Sequence, residues 1–209
     1  LLGSSASTVA VAPMAIDAWV GLESNPVVLS RYAHKLGVDK SWAFHDVWSL
    51  DAADLPHMPK PCLAAIWLYP YSQTETRKRA LGKHRGEPRK NVWFMRQSVA
   101  NACGAVAIMH AVMNNQQRLS SSTTSFLGRF AAETSDADSS ERGRLFAPAL
   151  RDIHSEVSPD GQTEAPKPTA DLDFHFITYV LAEDGHMYEL DGPNDGPRDR
   201  AVVPAPAPP

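Results

Sequence analysis

The chain has 209 residues, a hydrophobic share of 43% and a formal net charge of −4, enough for one good core and short for two domains. No apolar run approaches the ~20 residues that span a bilayer, the negative balance argues against a general nucleic-acid binder, and two cysteines, Cys62 and Cys103, are too few for a disulfide framework. The expectation is a monomer in a reducing compartment, cytoplasmic and also nuclear, with no membrane and no nucleic-acid partner.

In chain order, "LLGSSASTVAVAP" has no basic n-region and too short an apolar stretch for a signal peptide. Residues 1–13 are read as a leader without function. "ESNPVVLSRYAHKLG" predicts a helix: Asn25 caps it, Pro26 suits its first position, apolar residues recur at Val28, Leu29, Tyr32 and Leu36, and Gly37 ends it. "CLAAIWLYP", bounded by Pro61 and Pro70, predicts a central strand buried on both faces, with Cys62 opening it as a packing residue. The basic run Arg77–Lys90 has few interleaved aromatics and reads as a solvated helix end and loop.

"NVWFMRQ" leads into "SVANACGAVAIMHAV", where Asn101 is a candidate cap for a helix apolar on every side. A free cysteine is by default a small buried hydrophobe. Cys103 differs in its place, the first turn, where unpaired N–H groups and the positive end of the helix dipole favour a thiolate. Gly104 is expected to leave room for a substrate backbone beside the sulfur. "TSFLGRFAAE" and "SSERGRLFAPALRDI" predict two further helices, and "HSEVSPDGQTEAPKPTADLD" a long lid-like loop. "PAPAPP" reads as a structureless tail.

"FHFITYVLAEDGHMYELDG" predicts a hairpin whose register decides whether it can carry a base and an acid. With a two-residue loop at Asp184-Gly185, Asp191 would face Thr178 and lie on the sheet face opposite His175. With the loop Glu183-Asp184-Gly185, closed by a left-handed glycine, Ala182 pairs with His186 and Asp191 faces Ile177. Asp191 is then the diagonal neighbour of His175, within side-chain reach. His175 could otherwise be a satisfied core histidine and Asp191 a turn residue. Together with a thiol at a helix start, the Gln97 carboxamide nearby and a lid-like loop, they make the parts of a cysteine hydrolase. The remaining histidines show no metal-ligand spacing with either cysteine, and no cofactor is expected.

Six blocks carry a resemblance: "WVGLESNPVVLSRYAHKLGV", "WAFHDVWSLD", "MPKPCLAAIWLYP", "VWFMRQSVANACGAVAIMHAVMNN", "GQTEAP" and "DFHFITYVLAEDGHMYELDG". In this order the chain resembles the ubiquitin C-terminal hydrolases, most of all their short single-domain members, from about Met14 to Gly192. The resemblance implies an α+β, papain-like cysteine protease fold, with an antiparallel sheet between helical lobes. It implies ubiquitin, or a ubiquitin-like protein, as partner. It also implies Cys103 as nucleophile, His175 as general base and acid, Asp191 as its orienter and Gln97 as oxyanion donor. By position, Glu23 and Asp46 are similar to the family's acidic contacts to the basic tail of ubiquitin. Residues 154–171 would form an active-site crossover loop that admits small or unfolded adducts. The domain would then run from 14 to 192. Residues 193–209 would be an atypical Pro-rich tail in which the family's C-terminal helix and strand are missing. A chain that lacks that strand could instead be a non-catalytic ubiquitin-binding module.

Overall fold

A computed structural model describes residues 18–70, 86–119, 122–162 and 173–203. Residues 1–17, most of the basic run, half of the proposed crossover loop and the final "PAPAPP" lie outside the described residues. Among the described residues, four helices, α1 (Pro26–Leu36), α2 (Cys103–Met113), α3 (Phe126–Glu133) and α4 (Ser139–Val157), accompany four strands. The strands are β1 (Ala64–Pro70), β2 (Phe174–Leu181), β3 (His186–Leu190) and β4 (Arg198–Val202), antiparallel in the order β1-β2-β3-β4. Helix α2 packs on β2 and β1, and α1 packs on α2, α3 and α4, so α2 is the layer between the sheet and the other helices.

Helix α1 follows its local signals. The Asn25 side chain accepts from the Val27 N–H at 2.9 Å, Pro26 opens the helix, and Gly37 closes it at φ 105° with its N–H returned to the last turn. Val28, Leu29, Tyr32 and Leu36 form its buried stripe. Helix α2 has no such asymmetry: every residue from Cys103 to Met113 is buried, as a helix apolar on all sides must be. Its entry differs from expectation. Asn101 is left-handed at φ 61° and Ala102 occupies the cap position without a side-chain hydrogen bond. The N-terminal N–H groups of α2 therefore receive no side-chain cap.

Four further expectations are corrected. β1 is an edge strand of the described sheet, and its faces differ: Ile66 and Leu68 pack towards α2 while Trp67 is half exposed. Cys62 precedes the strand and is exposed, so it is not a packing residue. The helix expected over "SSERGRLFAPALRDI" runs on to Val157, through part of the supposed loop, and a 3₁₀ turn follows at Ser158–Asp160. Tertiary burial explains the extension, since His154 and Val157 are both buried and His154 Nε2 lies 2.8 Å from the Val20 carbonyl. Residues 193–209, read as a tail without a strand, carry β4.

β4 is held by charge. Glu189 on β3 has no exposed surface, and its carboxylate meets Arg198 at 2.8 Å, Arg200 at 2.7 Å and the Tyr179 hydroxyl at 3.2 Å. A buried carboxylate left without cations would cost several kcal/mol. The two arginines, two positions apart on β4, supply them.

Candidate active site

The hairpin has the three-residue loop. Gly185 is left-handed at φ 80°, its N–H donates to the Ala182 carbonyl at 3.0 Å, and the Ala182 N–H donates to the His186 carbonyl at 3.0 Å. Leu181 pairs with Met187 and Thr178 with Leu190. Continued by one residue, that register puts Asp191 opposite Ile177. His175 and Asp191 then share a face, and His175 Nε2 meets Asp191 Oδ1 at 2.7 Å.

Both groups are buried, His175 at 6% exposure and Asp191 at 1%. Burial pulls the imidazole pKa down, but the Asp191 hydrogen bond, a hydrogen bond to the Cys103 thiol and the charges of both groups outweigh it and raise His175 to about 9. His175 is thus an imidazolium at neutral pH. Nε2 is committed to Asp191, which leaves Nδ1 as the ring nitrogen for the sulfur. Cys103, at 7% exposure, is the first residue of α2 and packs with Ala107 and Phe176. Across the sheet, Tyr69 pairs with His175 and its ring stands edge-on to the imidazole, centroids 5.8 Å apart.

Gln97 is tied to the acid's neighbour, because its backbone N–H donates to the Gly192 carbonyl at 2.9 Å. Its side-chain amide gives one N–H to the Val99 carbonyl at 2.9 Å, and its Oε1 is buried without a partner. A side chain at Gly192 would stand 2.8 Å from the Gln97 Cβ. Gly104, expected to admit substrate, instead packs inward: a Cβ there would lie 3.1 Å from the Leu22 Cβ and 3.3 Å from the Phe176 ring. Its smallness lets α2 approach β2.

The two acidic candidates are separated. Glu23 adjoins Leu22 and accepts from the Asn25 amide at 3.4 Å, next to Gly161 in the described part of the loop. Asp46 is exposed, on the wall of an open groove of 960 Å³ that also involves Val27, His34, Phe44, Trp48 and Met58. None of Gln97, Cys103, His175 or Asp191 lines that groove. Tyr69 and His110 were missed from sequence. The former needed the β1–β2 register, and the latter had only one signal, a lone polar residue in an apolar helix.

A model of the family described as ubiquitin carboxyl-terminal hydrolase, family 1, matches residues 19–206. The chain belongs to the ubiquitin carboxyl-terminal hydrolases. It is 33% identical over 181 residues to a ubiquitin carboxyl-terminal hydrolase of Aplysia californica, covering 86% of this chain and 84% of that one. A ubiquitin carboxyl-terminal hydrolase of Saccharomyces cerevisiae is 38% identical over 182 residues, covering 84% and 75%. Among solved structures, the Trichinella spiralis UCH37 catalytic domain bound to ubiquitin vinyl methyl ester superposes with a TM-score of 0.68 at 26% identity, covering 91% of this chain and 82% of that one. These hydrolases are cysteine peptidases, and this member is a thiol-dependent deubiquitinase with an α+β, papain-like fold.

Proposed function

We propose that this ubiquitin carboxyl-terminal hydrolase releases small or unfolded adducts from the C-terminal glycine of ubiquitin, or of a ubiquitin-like protein, through a thioester on Cys103. The observation that carries the reading is His175, hydrogen-bonded to Asp191 at 2.7 Å on one side and to the Cys103 thiol on the other. The imidazolium and the uncapped N-terminus of α2 are the partners a thiolate needs. The sulfur attacks the glycine carbonyl, and the second N–H of the Gln97 amide, with the Cys103 backbone N–H, receives the developing oxyanion. His175 gives its proton to the leaving amine as the C–N bond breaks. It then takes one from the water that opens the thioester, and ubiquitin leaves with a free carboxylate. Asp191 holds the ring in place and supports its charge throughout.

Glu23 and Asp46 would meet the basic tail of ubiquitin. The exposed Val47, Trp48 and Leu50 beside Asp46 offer apolar surface for the body of the same partner. Residues within 154–171 would limit the leaving group to a chain thin enough to pass the crossover loop.

The test is mass spectrometry after mixing the chain with ubiquitin bearing a C-terminal thiol-reactive group, with any adduct mapped to Cys62 or Cys103. The expected result is an adduct on Cys103 that is lost in His175→Ala. Binding without an adduct would favour a non-catalytic ubiquitin module, and an adduct on the exposed Cys62 alone would overturn the assignment of the nucleophile.

A further inference from the structure

Helix α2 reads CGAVAIMHAVM, and apart from Cys103 its one ionisable side chain is His110, with no exposed surface. An imidazole costs more to bury than a methionine or phenylalanine of similar bulk unless its nitrogens are used. One of them, Nε2, is used at one flank of the site. Nε2 lies 3.2 Å from the Met95 N–H and 3.1 Å from the Met95 carbonyl, and Met95 is two residues before Gln97. On the other flank, the Leu190 carbonyl and the Asp191 carboxylate both act on the ring, favouring its proton. Nδ1 makes no short hydrogen bond, so the approach to Leu190 is a long one. Phe94 stacks on the ring at 4.9 Å and 16°, and Trp93 meets it edge-on at 6.1 Å.

We propose that His110 is a positioning residue that holds the Gln97 segment and the Asp191 strand end in register with the helix that bears Cys103. The proposal rests on the roles given above to those three residues. Seven residues, two helical turns, separate His110 from Cys103 along the same helix side. The two flanks are already joined by the Gln97 N–H donating to the Gly192 carbonyl at 2.9 Å. A ring fixed to α2 therefore locates both at once. Burial keeps the imidazole neutral, lowering it to about 4, so one nitrogen donates and the other accepts. The arrangement that serves both flanks has Nδ1–H directed to Leu190 and Nε2 accepting from Met95.

Two substitutions and one spectroscopic measurement test this on the full chain. His110→Phe fills the space without either hydrogen-bonding end, and His110→Gln keeps a donor and an acceptor. For a ubiquitin C-terminal fluorogenic amide, His110→Phe is expected to lower kcat ten- to a hundredfold with KM within threefold. Alkylation of Cys103 by iodoacetamide at pH 7 should slow in parallel, and His110→Gln should recover most of both. A His110→Phe protein with wild-type kcat and only a lower Tm would overturn the proposal, leaving packing alone. Nitrogen-15 spectra of histidine-labelled wild-type protein should show His110 as a neutral Nδ1–H tautomer whose shifts move in Asp191→Asn. An Nε2–H tautomer, or shifts that ignore Asp191→Asn, would overturn it even if His110→Phe does not fold. Alkylation and spectra need no ubiquitin. If they behave as expected while the amide is not cleaved, the hydrolase reading fails and the positioning role stands.

Discussion

Helix α2 carries the Cys103 thiol and the β2–β3 hairpin the His175 imidazole and the Asp191 carboxylate, and the two elements fix these groups by different means. α2 has no side-chain cap and no polar stripe; it is placed by burial on every side, with Phe176, Leu22 and Ile66 among its neighbours. The hairpin is placed by a local device, a three-residue loop closed by left-handed Gly185, and alternation along the strands then puts His175 and Asp191 on one face. Cys103 and His175 are thus brought together by one element that depends on the whole core and another that depends on a turn. Damage to the core should move the thiol, whereas damage to the turn or the acid should disarm the base.

The largest effect is expected on the hairpin side. Asp191→Asn removes the main support of the His175 charge, and kcat should fall by roughly 10³–10⁴, as when a buried acid is removed from a catalytic histidine elsewhere. Because His175 is raised to about 9 in the folded chain, above the ordinary ~6.5, its contribution to stability is complete below about pH 6.5 and drains away as pH rises through about 9. Wild-type Tm should therefore fall between pH 7 and 9.5, and Asp191→Asn should flatten that slope. An unchanged slope in the variant would separate the raised pKa from Asp191.

Next comes the proposed oxyanion donor: Gln97→Ala should lower kcat by roughly 10²–10³ with the fold intact, and a loss under tenfold would deny Gln97 that role. On the helix side, Ile108→Ala opens a cavity beneath α2 at a residue with no exposed surface, and should cost about 2–5 kcal/mol in chemical denaturation. The smallest effect tests the turn itself. A Cβ at Gly185 meets nothing within 4 Å, so Gly185→Ala carries only the left-handed penalty, about 1–2 kcal/mol, and Gly185→Asn should cost less. Equal costs for the two would mean that something other than backbone conformation holds the loop.

Features with a local cause were legible in the sequence, and those with a distant cause were not. The α1 boundaries, the hairpin loop and the meeting of His175 with Asp191 follow from caps, turn chemistry and the two-residue period of a strand. Asn101 was misread because its left-handed backbone, rather than its amide, is what the entry to α2 uses. β1 was misread because an apolar run cannot tell a strand buried on two faces from one at an edge, where Trp67 stays half exposed. The extension of α4 depended on Val20, more than a hundred residues away in sequence. β4 hid its period in charge rather than hydrophobicity, with Arg198 and Arg200 alternating towards Glu189.

That last contact has a consequence in time. The chain leaves the ribosome with Cys103 first, then His175, then Asp191, and only afterwards the arginines that neutralise the strand leading to Asp191. Until residues 198–202 have emerged, Glu189 has no cations and its strand has reason to stay solvated. A nascent chain would thus present Cys103 with no settled His175 beside it, and the proposed reactivity would arrive only after β4 has been made.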